Sequence, residues 1–178
     1  MQLNKKEIER YSRQIVLKKI GAGGQTKLLN SSVLIVGAGG LGSPIALYLS
    51  ALGIGKIGII DKDKIEISNL SRQVIFETRD IKKDKATTAV KKLKKINPNI
   101  KLQSFNKKLT SKNINKIASK YKLIIDGSDN FKTRFLINDY CLKNKKILIS
   151  GAISKFDGHV FTFNFLKEKS PCLRCFIP

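Results

Sequence analysis

A chain of 178 residues with 42% hydrophobic residues is long enough to bury a core in one domain and too apolar to be disordered. No run approaches the roughly 18 apolar residues of a membrane span, and the opening MQLNKKEIER lacks the apolar stretch of an export signal, so a cytoplasmic protein without a membrane partner is expected. The net charge of +22 raises the question of a nucleic-acid partner, but the excess is 29 Lys against 6 Arg, spread along the chain without Arg forks or stacking aromatics, so a solvated lysine surface is the better reading.

Residues 4–19 read as an amphipathic helix started by a capping-box pair, Asn4 and Glu7, and ended by Gly21, Gly23 and Gly24. Val33–Val36 is a short apolar strand, followed at once by Gly37-Ala38-Gly39-Gly40-Leu41-Gly42 and a helix to about Leu52. Ile57–Ile60 is a second strand, ending at Asp61. Residues 62–82 have no strong period and read as a long functional loop with a helical turn. A helix over 83–96 stops at Asn97-Pro98. A strand at Ile100–Phe105, a short helix at 111–119, a strand at Leu123–Ile125 ending in Asp126-Gly127-Ser128-Asp129, and a helix at 130–143 come next. Strands at Ile147–Ile149 and His159–Phe165 complete the pattern. Strand and helix alternate, which predicts an α/β fold: a Rossmann-like, mostly parallel sheet of order 3-2-1-4 with later strands beyond, helices on both faces and an N-terminal helical arm. One domain is expected over 1–178, with the arm at 1–30, the core at 31–150 and the start of a C-terminal part at 151–178.

That strand order brings the ends of strands 1 and 4 together across the switch point, with Asp61 beside the glycine loop. Gly37-x-Gly39-x-x-Gly42 lies between a strand and a helix, where glycines let the backbone approach a phosphate and the helix N-terminus offers free N–H donors. Asp61 falls 24 residues after Gly37, near the roughly 20 of a ribose-binding acid. This pair alone favours an NAD site and an oxidoreductase. Asp126 reads as a cap for the helix that follows it. Cys141 reads as a small buried hydrophobe and His159 as structural. Cys172-x-x-Cys175 in a chain with three cysteines reads as metal or thiol chemistry before a disulfide framework.

The stretch Asp61…Ser68-Asn69-Leu70-Ser71-Arg72-Gln73 redirects the reading. Together with Arg10-Tyr11-Ser12-Arg13-Gln14, the GAGGLG loop, Asp126-Gly127-Ser128-Asp129-Asn130, Lys85 and Pro171-Cys172-Leu173-Arg174-Cys175, it resembles the ThiF/MoeB/HesA family, bacterial relatives of ubiquitin-activating enzymes. The resemblance covers nearly the whole chain, in order. It implies an ATP-dependent adenylyltransferase that activates the C-terminal carboxylate of a small ubiquitin-like sulfur-carrier protein of the molybdopterin or thiamine type. By that resemblance Arg72 and Lys85 grip phosphates, Asp129 holds Mg²⁺, Asp61 binds ribose and Gly40 lies against the phosphates through its backbone. Ser68, Asn69 and Asn130 join nucleotide binding, and Arg13 reaches the γ-phosphate of the other subunit, which implies a homodimer. Cys172 and Cys175 look like the first half of a zinc site whose other half lies in a continuation this sequence lacks, so incomplete C-terminal strands and an incomplete Zn²⁺ ligand set are expected. A non-catalytic nucleotide-binding relative is the remaining alternative.

Overall fold

The computed structural model describes residues 3–167 and 170–177. Strands β1 (Ser32–Val36), β2 (Lys56–Ile60), β3 (Lys101–Phe105), β4 (Leu123–Asp126), β5 (Ile147–Ser154) and β6 (Asp157–Asn164) form one sheet of order β3-β2-β1-β4-β5-β6. The first five run parallel, and β6 pairs antiparallel with β5. The expected order and helices on both faces are therefore present.

The continuous apolar runs follow from burial on both faces. In β1, Val33 and Ile35 enter a core with Ala46 of α4 (Gly42–Leu52) and Ala86, Ala89 and Leu93 of α5 (Lys85–Ile96). Leu34 and Val36 enter the opposite core, with Ile114 and Ile117 of α6 (Ile114–Ala118) and Ile137 and Cys141 of α7 (Phe131–Lys143). Cys141 is wholly buried there, and burial pushes its thiol up to about 12, which leaves it inert. α4 ends on Gly53 in the left-handed conformation.

The arm departs from the expected single helix. It consists of α1 (Lys5–Arg10), α2 (Ser12–Ile15) and α3 (Gly21–Leu29). The Asn4–Glu7 capping box starts α1 as anticipated. The break comes at Tyr11, which is 1% exposed and whose hydroxyl accepts a 2.9 Å hydrogen bond from Asn97 Nδ2. Docking this ring beneath the chain outweighs the local preference for an unbroken helix. The three glycines do not end a helix but sit inside α3. Gly21 takes the turn at φ 58°, and the helix is held to the core by Gln25, whose Nε2 donates to Leu52 O at 3.0 Å.

The segment 62–84 carries two short 3₁₀ turns, Ile67–Asn69 and Thr78–Asp80. β5 runs five residues past its expected end because β6 supplies a hydrogen-bonding partner as far as Ser154↔Asp157. A one-turn helix not anticipated from the sequence, α8 (Leu173–Phe176), packs Phe176 against Phe161, with ring centroids 5.2 Å apart. His159 stacks on Phe161 at 6.0 Å. Among the described residues no helix is long and apolar enough to cross a membrane.

Candidate functional site

Three strand ends build the site at the C-terminal edge of the parallel strands. After β1 the chain turns at Gly37, with φ 91°. Any side chain at Gly42 would run into the Gly37 carbonyl oxygen, so the loop closes tightly on the start of α4. Across the switch point the Gly127 carbonyl oxygen lies 2.9 Å from where a Cβ on Gly37 would sit, so the loops after β1 and β4 are in contact.

Asp61 follows β2. Its Oδ2 accepts from Ala38 N of the glycine loop and its Oδ1 from Asp63 N, both at 2.8 Å. The acid thus splints the glycine loop to the next strand end and keeps lone pairs for further donors. Burial raises its pKa, against the two amides and the Lys85 charge, which pull it down.

The segment after β2 folds back over the loop. Asn69, 7% exposed, accepts from Glu66 N at 3.2 Å and so ties up its own turn. Arg72 donates through Nη1 to Ser68 O at 3.0 Å, while its Cγ and Cδ lie 3.5 Å from a Cβ built on Gly40. The guanidinium is therefore tethered above the glycine loop. Lys85 opens α5, is 8% exposed, and its amide donates to Asp63 O at 3.0 Å. It forms no ion pair among the described residues, a condition a buried ammonium sustains only beside other acceptors.

After β4, Asp126 does not cap α7. It is 1% exposed, and its carboxylate accepts from Ser128 N (3.0 Å), Ser128 Oγ (2.6 Å) and, across to β5, Ser150 Oγ (2.9 Å). Asn130 takes the capping role, accepting from Thr133 N at 2.9 Å. Asp126 instead pins the loop that presents Asp129. Arg134 Nη2 donates to Ser128 O at 2.6 Å and braces the same loop from α7.

These pieces enclose an open cavity of about 750 Å³. Gly37, Gly39, Gly40, Asp61, Asn69, Arg72, Lys85, Asp129 and Asn130 line it. Gly42 lies beneath the loop and outside the walls. Ser68 is exposed and outside the walls, contributing only the carbonyl that tethers Arg72. Arg13 is exposed on α2 and also lies outside them. Lys62, Lys64, Lys107, Lys108 and Arg134, and Gln73 from the Ser68–Gln73 stretch, were given no role by the sequence, yet all line the cavity. Lys107 and Lys108 come just after Asn106 beyond the end of β3, at the same edge that carries Asp61, and that placement was the available signal. The walls hold seven cations against four carboxylates, a setting suited to a polyanion.

Asp129 is exposed, with Asn130 Nδ2 donating to it at 3.3 Å. A single carboxylate on the wall of a cation-lined cavity is a donor of the kind that Mg²⁺ uses when a bound phosphate group supplies its other oxygens. Cys172 and Cys175 sit with sulfurs 3.7 Å apart, but among the described residues no group of three or more His, Cys, Asp or Glu side chains is gathered for a metal. A four-ligand zinc site does not fit the side chains present.

A model of the ThiF family matches residues 11–178. The chain is 43% identical over its full length to a sulfur carrier protein adenylyltransferase of Thermus thermophilus, of which it spans 67%. Over 89% of its length it is 52% identical to a probable molybdopterin-synthase adenylyltransferase of Porphyra purpurea, of which it spans only 42%. Among solved structures it is similar to E. coli MccB with ATP, with 28% identity and a TM-score of 0.81 over 97% of this chain and 52% of that one.

Proposed function

The chain belongs to the ThiF family, and from that premise we propose that it adenylylates the C-terminal carboxylate of a ubiquitin-like sulfur-carrier protein with ATP. The Porphyra relative's name favours a carrier of the molybdopterin-synthase kind. The observation that carries the reading is the gathering of Arg72, Lys85, Asp61 and Asp129 around one cavity with the glycine loop.

The chemistry fits that arrangement. A C-terminal carboxylate, with a pKa of about 3.5, is ionised at pH 7 and needs no general base. Its obstacle is the negative charge of the triphosphate. One carboxylate oxygen bonds to the α-phosphorus, and the bond from that phosphorus to the bridging oxygen breaks. Pyrophosphate departs with the electron pair, leaving an acyl-adenylate. Such a step is accelerated by positioning and by cations fixed where charge builds. Arg72, tethered over Gly40, and Lys85, unpaired at the head of α5, are the proposed phosphate ligands. Asp61 is the proposed ribose acceptor, with its orientation set by Ala38 and Asp63 amides. Asn69 and Asn130 line the cavity and hold their own loops. Asp129 would hold Mg²⁺, which when bound supplies further neutralisation of phosphate charge. We assign no step to zinc. Arg13, exposed on the arm, is proposed to serve the cavity of a second copy in a homodimer.

The test is ATP–pyrophosphate exchange. Exchange that appears only when a sulfur-carrier protein with a free C-terminal carboxylate is added supports the proposal. A protein that binds ATP but catalyses no exchange with any such carrier refutes it.

A further inference from the structure

Beside the nucleotide cavity lies a second hollow, of about 600 Å³. The two meet at a laced pair of backbone segments, 63–65 and 82–85. Lys82 N donates to Ile65 O at 2.8 Å, Ile65 N to Lys83 O at 2.9 Å and Lys85 N to Asp63 O at 3.0 Å. Lys64 lines both hollows, whereas Asp84 lines only the second and its neighbour Lys85 only the first.

Seven cations and two carboxylates line this second hollow, and both carboxylates are already engaged. Asp80 is 5% exposed and pairs with Lys92 Nζ at 2.7 Å and Lys83 Nζ at 3.2 Å. Asp84 accepts from Asn106 Nδ2 at 3.3 Å, and Arg79 pairs with Glu77. Lys64, Lys82, Lys91 and Lys95 are left, and they form no ion pair among the described residues. Lys91 and Lys95 stand one turn apart on α5, where like charges with Cβ atoms about 5–6 Å apart repel. Thr88, one turn before Lys92 on the same helix, is 6% exposed and lines the hollow, and its hydroxyl hydrogen-bonds to none of the described residues.

A solvated lysine face requires neither a hollow nor a hydroxyl left without a partner on a buried residue. An anion answers both features, because ammonium groups and a hydroxyl can all donate to oxygens that only accept. The volume falls in the range of about 300–1,000 Å³ that holds small molecules, which separates it from the broad face a protein partner covers. Four unpaired cations call for more negative charge than a single phosphate carries.

We propose that this hollow is a second anion site, which takes a small molecule bearing a chain of two or more phosphate groups, held by Lys64, Lys82, Lys91 and Lys95 with Thr88 as a further donor. It is separate from the nucleotide cavity and stands whether or not that cavity binds ATP. The test is calorimetric titration of the full chain with tripolyphosphate, pyrophosphate and ATP. Wild type takes up two equivalents of tripolyphosphate, and Arg72→Ala weakens only one of them. Replacing both Lys91→Gln and Lys95→Gln weakens the other about tenfold or more. Thr88→Val, which keeps the shape and removes the hydroxyl, weakens that same equivalent about three- to tenfold without lowering the melting temperature. A second equivalent of ATP as well assigns the phosphates to a nucleotide, and a second equivalent of tripolyphosphate or pyrophosphate alone assigns them to a free polyphosphate; either result upholds the site. A single equivalent of tripolyphosphate that Arg72→Ala removes overturns the proposal. So does an equal loss in a control with Lys112→Gln and Lys116→Gln, which lie outside both hollows, since net charge would then explain the binding. An oligoglutamate peptide that binds as tightly, and depends equally on Lys91 and Lys95, overturns it in favour of an acidic protein partner. A single equivalent that Arg72→Ala leaves intact and the α5 variant loses contradicts the nucleotide reading and upholds this one.

Discussion

Asp126 offers the sharpest test of how the site is built, because its role follows from hydrogen bonds alone. The perturbation is Asp126→Asn, which preserves volume and removes the charge. In the native protein one carboxylate oxygen accepts from both Ser128 N and Ser128 Oγ, and the other accepts from Ser150 Oγ. An asparagine turned with its carbonyl toward Ser128 keeps those two bonds as neutral ones, and its NH₂ can meet Ser150 Oγ only if that hydroxyl turns to accept, so the charged acceptor is lost from all three. Hydrogen bonds to a charged acceptor contribute about 1.5–3 kcal/mol, against about 1 kcal/mol for neutral ones. Relief of the burial of one carboxylate offsets part of this. The expected net loss is about 2–3 kcal/mol, which for a domain of this size lowers Tm by about 4–12 °C. The loop it anchors also carries Asp129 and contacts Gly37, so carrier-dependent pyrophosphate exchange falls well beyond what the unfolded fraction accounts for. A double-mutant cycle with Ser150→Ala isolates the cross-strand bond, with a coupling of about 1 kcal/mol expected. Wild-type melting and exchange in Asp126→Asn, or strict additivity with Ser150→Ala, would refute the anchoring role.

Further outcomes follow from the same geometry. Arg72→Ala is expected to lower exchange by about 10²–10³-fold with Tm within about 2 °C, since the side chain is exposed; near-normal exchange would remove it from the phosphate site. Asp129→Ala is expected to abolish the Mg²⁺ dependence of nucleotide binding, measured by titrating the metal at fixed ATP, and an unchanged metal requirement would point to another ligand. If Arg13 acts in the cavity of a second copy, mixing inactive Arg13→Ala and Arg72→Ala proteins restores part of the exchange activity through hybrid dimers; no recovery on mixing would count against action across the interface. Lys92 and Lys83 bond to the buried Asp80; burial alone would raise its carboxyl, but these contacts and the Glu77 amide hold it down at about 2. A depressed carboxylate stabilises the fold above the unfolded pKa of about 4 and loses that contribution as pH falls toward 2. Asp80→Asn is therefore expected to melt about 4–8 °C below the wild type at pH 7, with the gap closing between pH 4 and 2 on thermal scans, and a gap independent of pH would contradict the ion pairing.

The alternation of apolar runs with helical stretches was enough to derive a parallel sheet of order 3-2-1-4, because buried parallel strands must be apolar on both faces and their crossovers must be right-handed. The glycine spacing and the acid after the second strand located the cavity for the same reason: the loop between strand and helix is where backbone can meet a phosphate. What local sequence could not decide were features that depend on distant partners. Asp126 and Asn130 both precede a helix and both suit a cap, and only the nearness of Ser150 on β5 assigns one as anchor and the other as cap. The arm breaks at Tyr11 because Asn97, 86 residues away, holds its hydroxyl, so helical periodicity over 4–19 misread it. Lys107, Lys108 and Arg134 reach the cavity because strands remote in sequence end at one edge of the sheet. Periodicity and backbone chemistry are local and could be read from the chain, whereas which polar group meets which other is settled only when tertiary packing brings them within about 3 Å.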